Sequence, residues 1–152
     1  MVSDTLEAGV FSVEECSLCD PNLAPIVSES DYWQLVLNRN QNLLGKCFLV
    51  LRRHLEAVPQ LETTEWIDLH QQLARITEVL TRRFSPDHFN YAFLQNQNRH
   101  IHLHIIPRYK ESRELIGLEF DDPDYPSHYR VPAPGRYLDQ EQLIKLAEQL
   151  KE

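Results

Sequence analysis

Three histidines within five positions hold the densest chemistry in this chain. His100, His102 and His104 alternate with Ile101, Leu103 and Ile105, and Ile106-Pro107-Arg108 follow. On an extended strand a two-residue step returns a side chain to the same face, about 6.5–7 Å along. Three imidazoles would then line one surface while the aliphatic residues pack behind it. Three uses of such a row are open. It could be a polar face on a half-exposed strand. It could be a metal site, since imidazoles at alternate strand positions can share a zinc ion. It could be a nucleophilic centre: neutral imidazole, with an ordinary pKa of about 6.5, attacks phosphorus at pH 7 without an activating base. Neighbouring histidines would then set its tautomer and stabilise charge on phosphoryl oxygens.

The second candidate is the pair Cys16-Ser-Leu-Cys19. With Cys47 it makes three cysteines, too few and too uneven for a disulfide framework. Cys47 lies in an apolar run and reads as core. A C-x-x-C pair can be two plain thiols, a redox couple, or half of a zinc site. A redox motif usually opens a helix, and Asp20-Pro21 offers none. Zinc needs two more ligands.

Several elements must position these residues. Tyr32 to Leu37 is rich in β formers and reads as a strand, followed by turn chemistry from Asn38 to Asn42. Cys47 to Arg52 is a short buried strand. Thr63 to Phe84 is the clearest helix, with Trp66, Leu69, Leu73, Ile76, Leu80 and Phe84 on one stripe. Thr63 or Thr64 is the expected cap, and Ser85-Pro86 ends the helix. Phe89 to Leu94 and His100 to Arg108 read as strands around a polar turn. Residues 110–138 read as a long loop, in which Tyr125 to Tyr129 either shape substrate choice or serve as loop packing, the second being preferred. Leu138 to Leu150 reads as a terminal helix. The expected fold class is α+β: an antiparallel sheet with the long helix packed on it and a C-terminal helix.

At 152 residues the chain is expected to be one domain over 1–152, with a core at 16–109 and a C-terminal loop and helix at 110–152. Its formal net charge of −8 argues against broad nucleic-acid binding, which needs a basic face. One small anion can still be held by a few local cations or N–H groups. No run of apolar residues is long enough for a membrane span. Residues 1–15 carry Asp4, Glu7, Glu14 and Glu15 without a basic residue, unlike a signal peptide, so a cytoplasmic protein is expected. Arg52, Arg53, Arg99 and Arg108 read as solvated charges, with Arg99 the best placed to approach a phosphate. His70 and His88 read as ordinary surface or boundary residues, and His128 as a weak candidate for the ligand pocket.

The run from His100 through Ile106 resembles the signature of the histidine triad (HIT) family, H-φ-H-φ-H-φ-φ with φ apolar. Leu44 to His54 is similar to the family's strand that ends in basic residues and His, and Cys16-x-x-Cys19 to the pair at the head of many members. The resemblance covers about residues 16–109. It implies the HIT-like fold and a nucleotide hydrolase or nucleotidyltransferase. His102 would attack the α-phosphorus of a small-molecule nucleotide, such as a nucleoside phosphoramidate or dinucleoside polyphosphate, and form a nucleotidyl-histidine. His100 and His104 would orient it and contact the phosphate or leaving group, and His104 favours hydrolase. It implies a homodimer and no organic cofactor. It also implies a structural zinc on Cys16, Cys19, His54 and His100, with the other ring nitrogen of His100 facing the catalytic histidine. Two departures matter. The loop before the triad, Gln95-Asn-Gln-Asn-Arg99, lacks the family's Gly-Gln pair, so Asn96 or Asn98 would take the polar role. The family's ribose-binding Asp falls on Asn38, which can still hydrogen-bond a hydroxyl. The alternative to an enzyme is a nucleotide- or zinc-binding interaction protein on the same fold.

Overall fold

The computed structural model describes residues 16–20 and 25–151. The rest of the acidic stretch before the first strand lies outside these residues. Five strands form one antiparallel sheet: β1 (Ile26–Glu29), β2 (Trp33–Leu37), β3 (Cys47–Leu51), β4 (His88–Ala92) and β5 (His102–Arg108), in the order β1-β2-β3-β5-β4. The long helix α1 (Thr63–Phe84) connects β3 to β4, and α2 (Gln140–Leu150) closes the chain. The expected α+β architecture is the observed one. Among the described residues no helix is long and apolar enough to cross a membrane.

The sheet's period-two pattern sorts its faces. Trp33, Leu35 and Leu37 of β2, Cys47, Leu49 and Leu51 of β3, and Leu103 and Ile105 of β5 all join one buried cluster with α1. Cys47 is fully buried in it, and burial pushes its thiol pKa up. From α1 the cluster takes Leu69, Ile76, Val79, Leu80 and Phe84. Trp66 does not join them. It is 41% exposed, and the buried place one residue earlier goes to Glu65, whose carboxylate is met by Arg53. The cap also differs from expectation. Glu62 is the N-cap, and it and Glu65 exchange side-chain-to-backbone bonds in a capping box, so neither Thr63 nor Thr64 is needed.

The stretch after the triad is more ordered than its prolines suggest. Within 110–138, β6 (Arg113–Leu115) and β7 (Leu118–Phe120) form a hairpin. Its anchor is Arg108, expected to be solvated but buried: the guanidinium makes two bonds to Asp122, at 2.7 and 3.3 Å, and one to the Ser127 carbonyl. The chain then runs back along the β2–β3 turn, where Asn40 and Tyr137 form an isolated bridge. The last helix starts at Gln140, not Leu138, because the Asp139 carboxylate caps the Gln142 N–H at 2.8 Å.

Gly45 shows why the β2–β3 turn has its sequence. Its φ is +84°, and an added Cβ would sit 3.0 Å from Leu80 and 3.2 Å from Phe84. Only glycine fits both the backbone and the gap under α1. Inside the turn, the buried Gln41 donates to the carbonyls of Asn38 and Lys46 and accepts from the Gly45 N–H.

Candidate active site and metal cluster

His102 and His104 project from β5 beside Val50 and Phe48 of β3, their register partners. The two imidazoles meet edge to face with centroids 4.7 Å apart, and the Phe48 ring lies 5.8 and 6.1 Å from them. His102 Nδ1 is 2.7 Å from the His100 carbonyl. A carbonyl only accepts, so Nδ1 carries the proton and Nε2 keeps its lone pair. Burial lowers the pKa of His102. Burial, then the charges of His102 and Lys46, bring His104 down to about 4. Both rings are neutral at pH 7, the form in which imidazole is a nucleophile.

They open onto a cavity of about 440 Å³. Asn38, Asn96 and Asn98 all line it, but their side chains are not equally free. Asn98 is built into the scaffold: its Oδ1 accepts the His100 N–H at 2.9 Å and its Nδ2 donates to Ser17. The Asn38 Oδ1 accepts the Asn40 N–H at 2.9 Å. Asn96 is exposed at the rim. Arg99 and His128 are exposed and stand outside the lining; Tyr129 and Arg130 of the C-terminal stretch take that place. That stretch is therefore a wall of the cavity as well as packing.

His100 precedes β5 and turns elsewhere. Its Nε2 is 2.6 Å from the Leu51 carbonyl and so carries the proton, leaving Nδ1 as a free donor atom. The expectation that its second nitrogen faces His102 is thus corrected: His100 reaches His102 through its backbone carbonyl. With its ring turned away, the three triad imidazoles do not form one metal site. His100 Nδ1 instead lies 3.4 Å from Cys16 Sγ and 3.3 Å from Cys19 Sγ. His54 Nδ1 is 3.3 Å from Cys19 Sγ, and its Nε2 bonds the Glu56 carboxylate at 3.0 Å. All four ligand atoms lie within 4.8 Å of one another. Tetrahedral zinc, with bonds of about 2.3 Å to sulfur and about 2.0–2.1 Å to nitrogen, places neighbouring S and N donors about 3.5 Å apart. The donor set, the spacing and the two free Nδ1 atoms fit such an ion. Burial, then the neighbouring Cys16, pushes the Cys19 thiol pKa up to about 11.

Sequence reasoning passed over three residues that shape this region. Gln41 sits among asparagines that read only as a turn. Lys46 lines the cavity, and counting back two positions from Phe48 would have put it there. Asp122 gives no local signal, because its partner Arg108 lies 14 residues earlier, outside any strand or helix period.

Comparison with known proteins agrees with this architecture. The chain is 28% identical over 131 residues to a bis(5'-adenosyl)-triphosphatase from Dictyostelium discoideum, across 81% of this chain and 77% of that one. A histidine triad protein from Marinobacter aquaeolei superposes with a TM-score of 0.68 at 22% identity, covering 83% and 85% of the two chains. A Zn-bound histidine triad family protein from Mycobacterium smegmatis does so at 0.60 and 17% identity, covering 91% and 95%. At these identities the structures speak to the fold alone. The HIT domain model matches residues 22–111, well over half the chain, and the chain belongs to that family.

Proposed function

We propose that this protein is a nucleotide hydrolase cleaving at the α-phosphate, with His102 Nε2 as the nucleophile. The observation that carries this is the His102 tautomer: Nδ1–H is held by the His100 carbonyl and Nε2 is left with its lone pair beside the cavity. In the first step an Nε2–P bond forms as the bond from phosphorus to the leaving group breaks, giving a nucleotidyl-histidine. In the second, water attacks phosphorus, the N–P bond breaks, and a nucleoside monophosphate leaves with His102 neutral again. His104, 4.7 Å away ring to ring, contacts the phosphate or leaving group. Asn38 binds ribose hydroxyls, and Asn96, with no scaffold bond, faces the phosphate in preference to Asn98. The Dictyostelium relative's name supports a dinucleoside polyphosphate as substrate, with nucleoside phosphoramidates the other class in scope. No organic cofactor is required.

Cys16, Cys19, His54 and His100 would hold a structural zinc, which would supply a cross-link between the N-terminal segment, the end of β3 and the start of β5. The donor set and its spacing support this assignment, and the mycobacterial protein of the same fold is itself Zn-bound. The working unit is a homodimer. Among the described residues β4 is an outer strand paired on one side only, and Trp66, Ile67, Tyr91 and Leu94 are exposed around it and the adjoining helix. Sedimentation at the mass of a single chain would refute the dimer.

The catalytic reading is tested by intact-protein mass spectrometry after brief mixing with diadenosine triphosphate or an adenosine phosphoramidate, quenched at alkaline pH. A transient AMP adduct on wild type, absent from His102→Ala, is the expected result. Undiminished turnover by His102→Ala would sink the mechanism. Absence of both adduct and AMP release from wild type with either substrate would favour a binding protein.

A further inference from the structure

Two cationic side chains are buried among the described residues, Arg108 and Lys46. They are treated in opposite ways. Arg108 is met by the Asp122 carboxylate at 2.7 Å, in the ordinary manner of a buried charge. Lys46 is 7% exposed, and its ammonium donates to the neutral Asn42 Oδ1. Among the described residues no Asp or Glu lines its cavity, in a chain whose formal net charge is −8.

The position of Lys46 is held firmly. Its N–H donates to the Leu43 carbonyl, and its own carbonyl accepts from the Asn38 N–H and from Gln41. It immediately precedes β3, two residues before Phe48 and so on the same face. The cross-strand pairs Val50–His102 and Phe48–His104 run toward it, and all three polar side chains line the same cavity. A largely buried ammonium with no carboxylate bonded to it is favoured by an anion entering the cavity beside it. Lys46 stands with two neutral histidines, in a cavity that can admit an anion. An ammonium has three donors, and Asn42 takes one.

We propose that Lys46 is a phosphate-binding residue of this cavity, its ammonium donating to a phosphate oxygen of the bound nucleotide. The proposal rests on the nucleotide-substrate reading above, but not on turnover. Burial lowers the pKa of Lys46 to about 8, so it is charged at pH 7 and loses that charge in the alkaline range. The titratable and charged groups that line the cavity with it are His102 and His104 from β5 and Tyr129, Arg130 and Tyr137 from the C-terminal wall. His104 titrates near 4, well below that range.

The test is calorimetric binding of AMP and of adenosine to full-length wild type, Lys46→Met and Lys46→Arg. Wild type is expected to prefer AMP, and Lys46→Met to reduce the AMP-to-adenosine affinity ratio by about tenfold or more, the scale of a lost charge-assisted bond. Lys46→Arg is expected to recover part of it. The wild-type preference is expected to weaken from pH 7 to 9.5, and that of Lys46→Arg to hold. Lys46→Met is expected to melt at or above the wild-type temperature, because an uncompensated buried charge has been removed. An unchanged ratio, or a lower melting temperature with AMP and adenosine weakened equally, overturns the proposal and makes Lys46 structural. Lys46-dependent AMP binding without cleavage of either a dinucleoside polyphosphate or a nucleoside phosphoramidate would refute the hydrolase reading and leave this proposal standing. Cleavage with no Lys46 dependence of AMP binding would do the reverse.

Discussion

His102 and His100 each have one ring nitrogen committed to a carbonyl, and the consequences differ because different nitrogens are committed. In His102 the carbonyl takes Nδ1–H and leaves Nε2 for the cavity; in His100 it takes Nε2–H and leaves Nδ1 for the cysteines. Two adjacent triad members thereby acquire separate chemistry from the same residue type. His104 adds a pH dependence. Its unfolded pKa is about 6.5 and its folded value about 4, so the unfolded chain binds more protons between these limits. Its neutral form therefore contributes stability above about pH 6.5 that is lost as pH falls toward 4. The contribution is on the order of 3 kcal/mol at most. Urea unfolding from pH 7 to 4 is expected to show this loss, and His104→Gln to flatten it. Equal slopes in both proteins would show that His104 is solvated.

The turn between β2 and β3 sets much of the cavity's far wall. Gly45 lets the chain pass under Leu80 and Phe84 at positive φ, Gln41 closes the turn from within, and Asn38, Asn40, Asn42 and Lys46 are carried to the cavity. Gly45→Ala adds both a strained φ and a contact at 3.0 Å. The expected cost is about 1–3 kcal/mol, together with weaker nucleotide binding, since the wall would shift. Thermal melts and AMP titration of this variant measure both effects; a melt within a degree of wild type would mean α1 yields freely. The C-terminal stretch is the opposing wall. It is tied to the same turn by the Asn40 Oδ1 bond to the Arg136 N–H at 2.8 Å and by the Gln41 N–H bond to the Arg136 carbonyl at 2.9 Å. Proline-rich sequence reads as loose, yet these bonds and the Arg108–Asp122 pair hold it in place.

Across the whole molecule, the four-ligand cluster joins segments about eighty residues apart in sequence, so its contribution belongs to the folded state. Metal analysis is expected to find one zinc per chain. Chelation, or Cys19→Ser, is expected to lower the melting temperature by about 10 °C, with His102 adduct formation retained below the new transition. Immediate loss of the adduct on chelation, with the fold intact, would instead put the metal in the chemistry. The sequence by itself determined the parts whose signal is local: the alternation that puts His102 and His104 on one face, the apolar stripe of α1, the buried run of β3, and the C-x-x-C spacing. Those patterns arise from strand and helix geometry within a few residues, and they carried the family resemblance with them. Only the tertiary structure decided which nitrogen of each histidine is free, because that depends on the carbonyls of Leu51 and His100 and on their placement. It also decided that Arg108 is buried against Asp122 while Lys46 is buried without a carboxylate. Burial and charge pairing depend on how separate elements pack around each side chain, and no strand or helix period encodes them.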